Sequence, residues 1–288
     1  MGSILNNISR FFFVVIGLIL LSAFVGLFID GIQLDMELFV KNIIHITKSL
    51  IFPENLVVIG STGMEYSIFI NYWGYYFYSI TIFLTALLAS VIVGIILSYF
   101  TILLPTKINK IIVFIVSLLE SLPDLFIIIA IQFSVLYYYK KTGITLFPIL
   151  STSQTKPYIL PIVALALIPS LMVFKIILYL INDELKKSYI LLAKNKGFGD
   201  THIFFVHALR NVLPSIITHS KSVILLQLST MVIFEKLFNI NGIITYIIRF
   251  PEPNVIAFTL IMIYVPIYLF YTLLSIFIEN KTGQMLEW

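Results

Sequence analysis

Long apolar runs separated by short polar ones make up this chain. Six of them, at roughly 11–29, 75–104, 111–139, 157–181, 212–234 and 257–278, are long enough to cross a bilayer. A helix rising 1.5 Å per residue needs about 20 residues to span a hydrocarbon core of ~30 Å. The second and third runs exceed that minimum, which predicts tilt or projection beyond the membrane. Pro105 closes the second, and Pro157 and Pro161 open the fourth, where a missing N–H costs least. The first run follows Met1–Arg10 and has the look of a secretory signal. At 19 residues it exceeds the usual apolar core of such signals, and no small-x-small cleavage site follows, so it reads as a retained first span. The pattern predicts an all-α, polytopic membrane protein. Residues 1–74 would supply the first transmembrane helix and an outer loop, and 75–288 a core of five further helices.

Composition agrees. Hydrophobic residues make up 60% of the chain and charged residues 11%, where soluble domains carry about a quarter. The absence of cysteine excludes disulfides, thiolate metal sites and cysteine nucleophiles. With four histidines (His45, His202, His207, His219), a histidine-rich metal site is not expected, and no cofactor is either. The net charge of +4 is spread over loop lysines, which suits topology rather than nucleic acid. Six spans put both termini on one side; if that side is the cytosol, it holds nine Lys and Arg against seven outside. Five of the nine lie within 182–211. The largest outer segment, Asp30–Gly74, mixes short apolar runs with Pro53, Gly60 and Gly63, and is expected to form a small ordered cap.

Residues 182–211 are the one strongly polar stretch in the middle of the chain, and they must face water or a protein partner. From Asp183 to Ala193 the pattern favours a helix in which Leu185, Leu192 and Ala193 share a face with Tyr189. Gly197 ends it, and Asp200 or Thr201 caps a second helix. Leu213-Pro214 then marks re-entry into the membrane. The expected product is helix, sharp glycine turn, helix: a knob for a cleft on a soluble partner, or an ordinary interfacial amphipathic loop.

The order of residues in this stretch decides between the two. Tyr189, Ala193, Lys196, Gly197, then His207-Ala208-Leu209-Arg210-Asn211 and Pro214, resembles the cytosolic "EAA" loop of binding-protein-dependent ABC importer permeases. It is closest in form to the oligopeptide, dipeptide and nickel branch. Glu235-Lys-Leu-Phe238 through Gly242, followed by Arg249-Phe-Pro251, resembles the element before the last span in the first permease of such systems. Ser121-Leu-Pro123 fits the same branch. The chain departs from the pattern where Leu191 and Leu192 replace Glu and Ala, where Asn241 replaces a proline, and where His207 to Pro214 runs a residue short.

The resemblance implies a non-catalytic subunit in the cell membrane with cytosolic termini. It would pair with a second permease, two cytosolic ABC ATPases and an extracytoplasmic solute-binding protein. Oligopeptides, dipeptides, nickel or a metal chelate would be the cargo. Tyr189, Ala193, Lys196, Gly197, Asp200, His207, Arg210, Asn211 and Pro214 would form the ATPase-coupling loop, with Ala193 and Gly197 allowing close backbone approach. The chain has no G-x-x-x-x-G-K-[ST] phosphate loop, so ATP hydrolysis is expected on partners. The alternatives are an ion-gradient transporter and a structural subunit of a larger complex; neither needs an ATPase.

Four charges fall inside the expected spans: Glu120, Asp124, Lys175 and Lys221. Each costs ~2.5–3.5 kcal/mol or more in hydrocarbon unless compensated. At spacing i, i+4 the two carboxylates would share a helix face. Either they line a wet path and contact a polar or cationic solute, or Glu120 pairs with Lys175 or Lys221 while lysines snorkel to the interface. His202 and His207, five apart, should not align on one face, which argues against joint metal ligation. Tyr72, Trp73, Tyr75, Tyr76 and Tyr78 suggest an outer aromatic belt.

Overall fold

The apolar runs become helices in the computed structural model, which describes residues 2–28, 35–60, 63–152 and 154–282. In chain order these are α1 Gly2–Val25, α2 Met36–Ile51, a hairpin of β1 Val57–Ile59 and β2 Glu65–Ser67, α3 Tyr72–Leu103, α4 Thr106–Glu120, α5 Asp124–Thr142, α6 Ile159–Glu184, α7 Ser188–Asn195, α8 Asp200–Leu237, α9 Ile243–Arg249 and α10 Pro253–Thr282. Among the described residues five helices are long and apolar enough to cross a membrane, and the count is six if the bent pair of α4 and α5 forms one span. The fold is all-α and polytopic.

The third expected span is not one straight helix. α4 and α5 meet at 97° across Ser121-Leu122-Pro123. Pro123 has no N–H to continue the ladder and disfavours helical geometry at Leu122. It instead sits at φ −59°, ψ 135° and starts α5. Glu120 therefore ends one helix and Asp124 begins the next, so the two carboxylates do not share a helix face.

One unit holds the described residues of 1–80 and 241–277. Ala23, Ile46 and Ala257 are fully buried at its centre, where α1, α2 and α10 meet. α2 is started by Asp35, whose carboxylate accepts a 2.8 Å bond from the Glu37 N–H. α2 and the antiparallel hairpin occupy most of the described part of the segment expected to be outer; residues 29–34 and 61–62 lie outside the described residues. The tyrosines assigned to an interfacial belt are mostly core. Tyr72, Tyr76 and Tyr78 are buried, and the Tyr72 ring packs 5.3 Å from Tyr246 and 5.1 Å from Phe258. Aromatic density alone does not separate a headgroup anchor from a packed cluster.

The other unit holds the described residues of 81–240 and 278–282. Here α6 packs along α8, and 61% of its apolar window is buried, so it is the central helix of this unit. Phe174, Leu171, Leu178 and Val116 form a core between α6 and α4. α3 approaches α6 at Gly94, where a Cβ would come within 2.6 Å of Val173 Cγ1; the Ser98 hydroxyl nearby lies 3.1 Å from the Phe174 carbonyl.

Candidate functional site

Between α6 and α8 the polar loop folds as a short helix, a tight reversal and the start of a long helix. α7 closes with two bonds, from the Gly197 N–H to the Lys194 carbonyl (2.9 Å) and from the Phe198 N–H to the Ala193 carbonyl (3.3 Å). This paired closure needs a left-handed residue at its centre, and Gly197 supplies it at φ +86°. A Cβ there would meet nothing within 4 Å, so within this chain the glycine serves backbone conformation rather than close approach. Lys196 is the exposed residue that caps α7, and Ala193 is buried.

The second helix departs from the sequence reading in three ways. Neither Asp200 nor Thr201 caps it: Gly199 holds the cap position, Asp200 is the first helical residue, and the Thr201 hydroxyl lies 2.8 Å from that of Tyr99. Leu213-Pro214, the expected point of re-entry into the membrane, lies within a continuous helix rather than at a helix start: α8 runs unbroken from Asp200 to Leu237 with Pro214 buried inside it. Finally, Ile203–Ala208 form a π-turn. A ring closed i to i+5 brings residues five apart together, and the His202 and His207 rings meet edge to face at 5.3 Å. Phe198 stacks on His202 at 4.8 Å, tying the reversal to the helix that follows. Among the described residues no group of three or more His, Asp or Glu converges as metal ligands.

A polar knot fastens the three pieces. The Tyr189 hydroxyl donates to Glu184 Oε1, and Asn211 Nδ2 donates to the Tyr189 oxygen at 2.8 Å. Lys187 Nζ closes on Glu184 Oε2 at 2.7 Å. The end of α6, the start of α7 and the first turns of α8 are thus pinned to one carboxylate. Burial, and next the bond to Glu184, push the Tyr189 hydroxyl up to about 12. A raised tyrosine value stabilises the fold fully below the usual range near ~10 and loses that contribution as pH climbs through the raised one, so the knot is intact at neutral pH. Glu184 was not singled out from the sequence. Its nearest signal in the sequence is an acid at the end of an apolar run, with Lys186 and Lys187 close behind.

The outward face of the loop is apolar with a basic edge. Leu191 and Leu192 are 54% and 60% exposed, and Phe198, Phe205 and Val206 are also open. Leu192 therefore does not share the buried face of α7, which belongs to Ile190 and Ala193. Lys194, Lys196 and Arg210 are exposed around it. Such a surface suits contact with a protein.

The intramembrane charges separate into distinct settings. Glu120 Oε2 meets Lys175 Nζ at 2.6 Å, joining α4 to α6. Asp124 instead accepts from the Thr230 hydroxyl of α8. Lys221 lies half-buried on α8.

The family model described as "Binding-protein-dependent transport system inner membrane component" matches residues 90–282. The chain is similar to the dipeptide transport system permease protein DppB of Lactococcus lactis subsp. cremoris, at 33% identity over 101 residues, 35% of this chain and 33% of the relative. It is also 33% identical over 96 residues to the dipeptide transport system permease protein DppB of Haemophilus influenzae, covering 33% of this chain and 29% of that protein. The matched stretch spans only about a third of the length of these curated relatives. Because the family match takes in most of the chain, from within α3 to the end of α10, this protein belongs to the binding-protein-dependent transport system inner membrane components.

Proposed function

We propose that this chain is the permease subunit of an ATP-driven ABC importer of short peptides, in the cell membrane with both termini in the cytosol. The similarity to dipeptide transport permeases supports the peptide cargo; nickel or a metal chelate is the related option in the sequence resemblance. The working complex contains a second permease, a pair of cytosolic ATPases and an extracytoplasmic solute-binding protein. Residues 182–211 are the coupling loop, with α7 and the first turns of α8 seated in an ATPase cleft.

The observation that carries this reading is the knot on Glu184. A handle transmits force only if it is stiff and joined to what it moves. Tyr189, Asn211 and Lys187 fasten the loop to the end of α6 and the start of α8, and those two helices pack along each other. Closure of the ATPase dimer on ATP displaces the loop, and the displacement passes into both helices, rocking the path between outward and inward openings. Exposed Leu191, Leu192 and Phe198 give the ATPase an apolar contact, with Lys194 and Lys196 at its edge.

The test is isolation of the tagged chain from its own membranes in mild detergent, followed by uptake in proteoliposomes. An ABC ATPase should co-purify in stoichiometric amount, and dipeptide uptake should require ATP inside the compartment facing the loop. Uptake driven by an ion gradient, with no ATPase in the preparation, would replace this reading with that of a secondary transporter.

A further inference from the structure

We infer that Asp124, with the cleft beside it, recognises the ammonium group of the transported solute; for a short peptide, that is its free amino terminus. The inference rests on the importer reading above and adds the chemistry by which the path recognises its cargo.

The two carboxylates flanking the bend differ in what neutralises them. Glu120 has the Lys175 ammonium at 2.6 Å. Asp124 has no cationic partner among the described residues. Its Oδ2 takes the Thr230 proton, and its Oδ1 has no hydrogen-bond partner among the described residues. The start of α5 contributes only about half a positive charge at that position. A carboxylate among spanning helices, with part of its charge uncompensated, attracts a cation that enters the cleft beside it.

The space for one is present. A cleft of about 170 Å³ lies against Asp124, lined also by Leu125, Ile128, Ser229, Thr230 and Ile233. It holds an ammonium head and the first atoms behind it, not a whole peptide. Its apolar walls lower the local dielectric and strengthen the attraction of an entering cation to Asp124. The oxygens suit three N–H donors. They are Asp124 Oδ1 and the hydroxyls of Ser229 and Thr230, and Ser229 keeps its lone pairs free by donating its own proton to the Leu225 carbonyl at 2.9 Å. One carboxylate and two hydroxyls are too few for calcium, which takes about six to eight oxygens, and magnesium demands a near-octahedral shell.

Position supports a role in solute capture. Thr230 lies seven residues before the end of α8, about 10 Å along the axis. Asp124 also faces Ala164 and Ile168, near the beginning of α6. Both helix ends point away from the loop at residues 185–199, so in the proposed orientation the site lies toward the extracytoplasmic mouth. Lys175, only nine residues before the end of α6, belongs to the other half.

The experiment uses membranes carrying the full importer and has two arms. In the first, membranes react with a carbodiimide in the presence of alaninamide or N-acetylalaninamide, and mass spectrometry follows the loss of unmodified Asp124, so that acylurea and amide products both count as modification. Alaninamide, a bare ammonium probe, should slow modification at least about fivefold, and the acetylated probe should not. Equal rates with both probes overturn the site. In the second arm, Asp124→Asn should raise the KM for alanyl-alanine uptake roughly 10- to 100-fold, the range of a lost charged hydrogen bond, and Asp124→Glu should recover part of it. Wild-type uptake in Asp124→Asn overturns the site while leaving the importer reading intact. Protection by alaninamide in membranes that take up no peptide keeps the ammonium site and overturns the peptide reading.

Discussion

Gly197 carries the most sharply defined demand on any single residue of the loop. At φ +86° a β-branched side chain is strained by about 1–2 kcal/mol or more, although nothing crowds the position. The chain solves the same problem elsewhere with a different residue. α8 ends with bonds from Ile240 N to the Glu235 carbonyl and from Asn239 N to the Lys236 carbonyl, with Asn239 at φ 52°. Asparagine is therefore adequate in this role, and Gly197→Asn should keep most uptake while Gly197→Val loses it roughly tenfold or more. ATP hydrolysis should persist in the valine variant, as an uncoupled activity. Uptake assays alongside phosphate release check both; equal behaviour of the two variants would remove backbone conformation as the cause. The helix end at Gly197 was legible because a glycine just past a helix carries a local signal. The knot was not, because Glu184, Tyr189 and Asn211 meet only in three dimensions. The contact between His202 and His207 was missed for a different reason: a period of 3.6 was assumed where the chain takes a wider turn.

At the level of helices, the apolar runs that become long helices were legible and their shapes were not. Hydropathy over 111–139 registers enough apolar length but is blind to direction, so the 97° turn at Pro123 leaves no trace in it. Pro214 shows the complementary limit: a proline beside a polar segment suggests a break, yet here tertiary packing keeps it inside α8. The bend gives the Glu120–Lys175 pair its importance, since that pair ties the last residue of α4 to the central helix. Lys175→Glu should leave two facing carboxylates and reduce folded protein in the membrane by roughly tenfold, the loss expected when a partly buried pair becomes a repulsion. Exchanging both charges, Glu120→Lys with Lys175→Glu, should recover most of it. Fluorescence-detected size exclusion measures the yield, and a double variant no better than the single would show that the pair does not link these helices.

Across the whole molecule, the absence of cysteine makes sidedness directly measurable. Single cysteines at exposed Lys196, in the proposed coupling loop, and at exposed Glu54, in the proposed outer segment, should react with a membrane-impermeant maleimide from opposite faces of the membrane. In intact cells Glu54→Cys should label and Lys196→Cys should not, with the order reversed in inside-out vesicles. Labelling of both from one face would break the proposed orientation. The π-turn at Ile203–Ala208 bears on how far such a chain can vary in length. A turn of this kind is an ordinary helical turn with one residue spliced in. Losing one amino acid there would close the splice and leave every downstream side chain facing its present neighbour. The same deletion anywhere else in the thirty-eight residues of α8 would swing the remainder by about 100°, turning buried positions toward lipid. A one-residue deletion within this helix is therefore absorbed best at the π-turn, which lies between the proposed coupling loop and the apolar length of α8.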